Sequence, residues 1–232
     1  MTWRRAVVIG ATGGIGRALA DRLEAEGTEV VRLGRSAGRA QDRIDLLDET
    51  SIAAAAERVT AGAPPDCVIV ATGMLHGTEG LPEKSWRALS HEGLAQSFAI
   101  NAAGPALVAK HFLPLLPREG RCVFAALSAR VGSISDNGLG GWYSYRASKA
   151  ALNMLVRTLA IELARKRPEA ICIALHPGTV DTRLSEPFQG NVPDRQLFTP
   201  ELSAARLLDV LGDVTPEQSG RIFAWDGSEI RP

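Results

Sequence analysis

The chain has 232 residues, in which 26 Lys plus Arg balance 26 Asp plus Glu to a net charge of zero. That length suits one large α/β domain with a sizeable core, and there is no surplus of basic charge to favour nucleic acid or an anionic membrane as partner. Three cysteines and four histidines show neither disulfide nor metal-ligand spacing, and the first apolar run, 6–9, is too short for a signal peptide or a span. A cytoplasmic, metal-free protein with buried free thiols is expected.

Short apolar runs alternate with helix-period segments, the pattern of a parallel sheet with crossover helices. The first predicted strand, 6–9, runs into Gly10-Ala11-Thr12-Gly13-Gly14-Ile15-Gly16 and then a helix over 15–26. In that setting the backbone turns sharply and the helix amides can receive a pyrophosphate. Gly10, Thr12, Gly13, Gly14, Ile15 and Gly16 are therefore candidate dinucleotide ligands. No P-loop lysine follows, which disfavours phosphoryl transfer.

The second strand, 29–33, ends in Gly34-Arg35-Ser36. No carboxylate stands there to hold a ribose 2′-hydroxyl, whereas a guanidinium can pair with a 2′-phosphate. Arg35 and Ser36 thus point to NADP(H) over NAD(H). A weaker strand is expected near Ile44, with Asp45 and Leu46 at its end beside the adenine. Asp48 is placed to cap a helix over 50–60. A strand over 66–71 follows, then a helix over 94–116 that Pro105 should kink or interrupt, then a strand over 121–126.

The helix predicted over 145–166 carries Tyr145 and Lys149. A phenol has an ordinary pKa of about 10. A residue four positions on shares its helix face, and a neighbouring ammonium favours the tyrosinate, which would make Tyr145 a proton donor or acceptor near neutral pH. The helix is apolar around most of its circumference, so it is expected either at the centre of the monomer or between the sheet and a second subunit. A strand over 170–176, the loop 178–199, a helix over 200–211 and a strand over 221–225 complete the chain. His176 reads as a strand-end histidine rather than a base.

The glycine loop, Tyr145-x-x-x-Lys149 and Pro177-Gly178-Thr179-Val180-Asp181-Thr182 occur in the order of the short-chain dehydrogenase/reductase superfamily, which the whole chain resembles. Within it, the runs 127–134 and 140–146 resemble the C-factor (C-signal) group and the sniffer-type carbonyl reductases. The resemblance implies a single-domain doubly wound parallel sheet, a three-layer α/β/α Rossmann fold spanning 1–232, and hydride transfer between NADP(H) and a carbonyl or alcohol. A dimer or tetramer through the helices at Leu94 and Tyr145 is also implied.

By the same resemblance, Tyr145 exchanges the proton, Lys149 holds the nicotinamide ribose, and Asn101 supports a water-mediated proton path. A serine should orient the reacting oxygen; Ser128 is the candidate and Ser133 the fallback, although alignment on Gly132 puts Ala129 at the expected place. Ala71, Thr72 and Gly73 stand where the family has an asparagine-rich turn, and Ile9 replaces its threonine. Pro177, Gly178, Val180 and Thr182 match positions near the nicotinamide carboxamide. A substrate lid is expected at about 178–200, with Leu184, Pro187 and Phe188 as apolar wall, Trp142 and Tyr143 opposite, and Met74, Leu75 and His76 contributing. The departures from the family pattern leave a second reading open: an NADP-binding regulator or signalling protein with vestigial catalysis.

Overall fold

The computed structural model describes residues 3–76, 81–186 and 197–232. Strands β1 (Arg5–Ile9), β2 (Glu29–Leu33), β3 (Cys67–Val70), β4 (Cys122–Leu127), β5 (Ala170–His176) and β8 (Ile222–Ala224) form one sheet of order β2-β1-β3-β4-β5-β8. Every pairing in it is parallel. The inner strands are buried on both faces, which is why they appear as unbroken apolar runs such as Cys67-Val68-Ile69-Val70. Helices α2 (Glu49–Val59), α4 (Gly104–Phe112) and α5 (Tyr143–Ala164) cover one face; α1 (Gly14–Ala25) and α6 (Pro200–Asp213) cover the other. This is the expected three-layer doubly wound fold.

Alternation along each strand divides the core in two. Val7, Phe124 and Cys172 join Ile52, Phe112 and Val156 on the α2–α4–α5 side, while Val8, Val123 and Ile173 join Leu19, Leu23 and Leu207 on the α1–α6 side. Cys67, Cys122 and Cys172 are buried free thiols, and burial pushes Cys122 up to about 11 and Cys172 up to about 12. They are inert at neutral pH.

The structure corrects one expectation and refines two others. The segment at Ile44 makes no strand: its amide reaches only the Gly34 carbonyl at 3.4 Å, and the Ile44 side chain plugs into the core instead. The sheet therefore ends at β2. The helix expected over 94–116 is in pieces, α3 (His91–Phe98), a π-helical turn over Ala99–Ala103, and α4. Pro105 has no N–H for the carbonyl of Asn101 and its ring crowds that turn, so the ladder widens there. Finally, a two-stranded parallel pair, β6 (Thr179–Val180) and β7 (Leu197–Phe198), brackets the lid region. Pro187 and Phe188 lie outside the described residues.

Helix α5 buries Leu152, Val156, Ala160 and Leu163 in the core. Its outer face leaves Met154 67% and Ile161 47% exposed, so it is not wrapped by the monomer on all sides. Among the described residues no helix is long and apolar enough to cross a membrane.

Candidate active site

The carboxyl ends of β1, β2 and β3 open into a cavity of about 520 Å³. Gly10, Thr12 and Gly13 line it from β1, Arg35 and Ser36 from β2, Asp45 and Leu46 from the extended segment that follows, and Ala71, Thr72 and Gly73 from β3. Gly10 has φ +91°, and a Cβ on it would sit 2.7 Å from the Ala71 carbonyl oxygen. Only glycine makes this turn without strain. A larger groove of about 820 Å³ runs between α1, α6 and the end of β8, with Arg22, Arg206, Asp209 and Asp226 on its walls. None of the sequence-predicted site residues lines it.

The first of these cavities fits a dinucleotide. Helix α1 begins at Gly14 with no side-chain cap and no acidic residue in its first turn, which leaves its amides free for an anion. The Thr72 hydroxyl is buried without a partner. Arg35 is exposed and has no ion-pair partner among the described residues. Ser36 donates to Thr12 Oγ1 at 3.2 Å, and Asp45 Oδ1 accepts the Leu47 amide at 3.0 Å. Ile15 turns its side chain into the α1–α6 core, so only its backbone is available to a ligand, and Gly16 is buried behind it. Thr182 packs on Gly14, its Cγ2 lying 2.8 Å from where a Cβ would be. Gly178 has φ +80°, Pro177 accepts from Ser203 Oγ at 2.8 Å, and Val180 pairs with Phe198. The segment after β5 thus meets the glycine turn.

Farther along the same sheet edge, three predicted residues converge in a buried cluster. Lys149 is 2% exposed and donates from Nζ to the Leu127 carbonyl at 2.8 Å. Asn101 is fully buried in the π turn; its Oδ1 accepts the Met74 amide at 2.8 Å, and its Nδ2 donates to the Met74 carbonyl at 2.7 Å and to Ser148 Oγ at 3.1 Å. A Cβ on Gly73 would lie 3.6 Å from Lys149 Nζ and 3.7 Å from Asn101 Oδ1. Lys149 Nζ also sits 5.8 Å from the centroid of the Tyr145 ring. The absence of a side chain at Gly132, where a Cβ would come 2.8 Å from Lys149 Cβ, lets the turn after β4 press against α5.

Burial governs both ionisable partners. It lowers the Lys149 ammonium to about 7 and raises the Tyr145 phenol above its ordinary value. That direction opposes the lowering expected from Lys149. Burial alone accounts for the rise, and Tyr145 keeps its proton at neutral pH.

The two candidate serines have partners of their own. Ser128 extends β4 through its amide bond to Leu175 O at 2.7 Å, so its side chain faces α5, where Oγ donates to Asn153 Oδ1 at 2.7 Å. Ser133 donates to the Arg231 carbonyl and accepts the Asp136 amide. Their hydroxyls donate to Asn153 and Arg231, on other elements. Ala129, at the place that alignment on Gly132 gives the family's serine, packs against Tyr145 with Leu75, Val131 and Trp142. His176 sits at the end of β5 with Nδ1 buried and unpartnered, and burial lowers it to about 4. It is neutral at pH 7.

Sequence reasoning missed Ser148, Asn153 and Glu83. Asn153 is one helical step beyond Lys149 on the same face, a spacing that could have flagged it. Glu83 touches α5 from 61 residues away and leaves no local signal.

Comparison with known proteins agrees with this geometry. The model of the short chain dehydrogenase family matches residues 4–192. The chain belongs to that family. It is 39% identical over 158 residues to C-signal of Myxococcus xanthus, covering 66% of this chain and 87% of that one. It is 32% identical over 234 residues to the 1-hydroxy-2-glutathionyl-2-methyl-3-butene dehydrogenase of a Rhodococcus species, covering 97% and 98%. The NADPH-bound carbonyl reductase from chicken fatty liver superposes with a TM-score of 0.83 at 26% identity, covering 99% of this chain and 94% of that one. The resemblance to the C-signal and carbonyl reductase group is borne out.

Proposed function

We propose that the protein is an NADP(H)-dependent oxidoreductase acting on a small carbonyl or alcohol, with Tyr145 as its proton donor and acceptor. The observation that carries this reading is the buried convergence of Tyr145, Lys149 and Asn101 on the sheet edge that continues into the Gly10–Arg35 cavity. The bound nicotinamide would supply or take the hydride. Amides at the start of α1 and the Arg35 guanidinium hold its phosphates, and Lys149 meets its ribose. At neutral pH Tyr145 is a phenol, so it donates a hydrogen bond to a carbonyl oxygen and releases the proton as charge develops there. Lys149 and the Asn101–Ser148 pair fix the neighbourhood of that proton. Leu75, Val131, Trp142 and the Ala129 methyl exclude water and select a partly apolar substrate. The whole chain is read as one NADP-binding domain with its lid at about 178–200, working as a cytoplasmic homodimer or homotetramer through α3–α5, where Met154 and Ile161 are exposed.

The test is Tyr145→Phe. Turnover of aldehydes and ketones should fall by about 10³-fold or more, the scale of lost general acid catalysis, while NADPH affinity stays within about twofold. Undiminished reduction by this variant rejects the mechanism. A second reading, an NADP-binding regulator with weak catalysis, is favoured by Ala129 alone, since a methyl cannot orient the reacting oxygen. Tight NADPH binding without turnover across a broad panel of carbonyls would select it.

A further inference from the structure

We infer that Glu83 is a positioning residue, a carboxylate clamp that locks the first turn of α5 and so sets Trp142 and Tyr145 at the site. This rests on the reading of Tyr145 as proton donor. The approach to α5 is conformationally costly. Gly140, Gly141 and Trp142 have φ of +63°, +66° and +52°, three successive left-handed residues, and Trp142 is the only non-glycine with positive φ among the described residues. A bulky side chain is disfavoured in that region, and such strain persists only where surrounding bonds over-determine it.

Asn137 Oδ1 accepts the Gly140 amide at 3.1 Å and Arg146 Nε donates to the Gly141 carbonyl at 3.0 Å, and Glu83 adds bonds on the helix side of the turn. Its backbone carbonyl accepts the Trp142 amide. Its carboxylate accepts the Ser144 amide through Oε2 at 3.3 Å and the Ser144 hydroxyl through Oε1 in a short bond. Helix α5 has no side-chain cap of its own and no acidic residue in its first turn. Glu83 therefore provides both the acceptor and the negative charge that this helix end lacks. The carboxylate also borders α3: a Cβ on Gly93 would lie 3.8 Å from Glu83 Oε1 and 3.9 Å from Ser144 Oγ.

What the clamp holds is functional. Trp142 meets the Tyr145 ring edge-on, with centroids 6.4 Å apart and planes at 66°. Tyr145 is the third residue of α5, so a shift of the first turn moves the phenol, while Lys149, one turn deeper, stays anchored on Leu127. Freeing the clamp should therefore separate Tyr145 from Lys149 rather than displace the site as a whole.

Glu83→Ala and Glu83→Gln decide the matter. In Glu83→Ala the Ser144 and Arg146 amides should exchange hydrogen about tenfold faster or more, with α6 unchanged, because local opening there loses its restraint. Carbonyl reduction with NADPH should show KM raised and kcat lowered by about tenfold each, a split that reports misplacement rather than unfolding. Gln keeps an oxygen acceptor and should recover at least half of each effect. Unchanged exchange, a Gln variant no better than Ala, or a loss of activity that tracks the unfolded fraction at constant KM would overturn the clamp. Should Glu83→Ala fail to fold, Ser144→Ala, which removes one of the two carboxylate bonds, must give intermediate exchange. A wild-type protein that reduces no carbonyl would sink the reductase reading, and the exchange data would still decide the role of Glu83.

Discussion

At the β2 end of the sheet edge, Arg35 and Ser36 are exposed. At the β4 end, Tyr145, Lys149 and Asn101 are 8%, 2% and 0% exposed and tied to one another's surroundings by hydrogen bonds. The two regions would hold opposite halves of one ligand by different physics. An exposed guanidinium acts through water, is screened by salt and can be removed without disturbing the fold. A buried polar cluster acts through desolvation, so one change there alters stability, titration and turnover together.

The sharpest way to break this contrast is Lys149→Met. Turnover should drop by about 10²-fold or more, as expected when a group that assists proton transfer is lost. Stability should also change, with a defined sign. The folded Lys149 titrates at about 7 and the unfolded one near 10.4. Between those values the unfolded chain holds a proton that the folded chain lacks, so wild-type stability rises with pH across the window. Below pH 7 the wild type carries the cost of a buried ammonium that Met does not. Denaturation midpoints at pH 6 and pH 10 should show Lys149→Met gaining on the wild type at the lower pH and losing that gain at the higher. A difference independent of pH would mean that burial does not control this lysine.

Arg35→Ala probes the open end. NADPH affinity should weaken about tenfold, or about 1.4 kcal/mol, while NADH affinity is unchanged. The NADPH penalty should shrink in high salt, because the lost interaction is solvent-screened. Equal weakening of both nucleotides in paired titrations would remove the 2′-phosphate assignment.

The smallest effect on turnover is expected from Ser128→Ala. It strips the donor from Asn153 Oδ1, which is buried, so stability should fall by about 1–3 kcal/mol. Turnover should remain within about threefold of the wild type if Ser128 acts only as a tie. A hundredfold loss would return Ser128 to the reacting oxygen. Denaturant titration alongside initial rates separates the two.

Much of the architecture was legible because its signals are local. Inner strands such as β3 and β4 are buried on both faces and must be continuously apolar, the glycine turn needs its φ at Gly10, and Asp48 caps α2 through the Thr50 amide at 2.9 Å. What was not legible shares a cause of another kind. Ile44 is apolar and extended, and nothing local distinguishes an anchor dropped into the core from a strand. Pro105 announced a broken helix without stating that the repair would be a π turn around Asn101. Ser128 was placed by resemblance to the family, whereas the direction of its hydroxyl follows from the ladder bond to Leu175 and from Asn153 on another element. Glu83 acts entirely across tertiary distance. Chemistry written within one helical turn was readable; orientation imposed by a partner far along the chain was not.

Because the Ile44 segment declines to pair, β2 forms the rim of the sheet, with one row of backbone donors and acceptors unclaimed. Such a rim is a template for stacking with a second chain. Two of its side chains are fastened by ion pairs, Glu29 to Arg5 at 2.8 Å and Arg32 to Asp21 at 2.6 Å. Neutralising both positions at once would strip away a fence of charge and invite rim-to-rim aggregation from molecules that still fold.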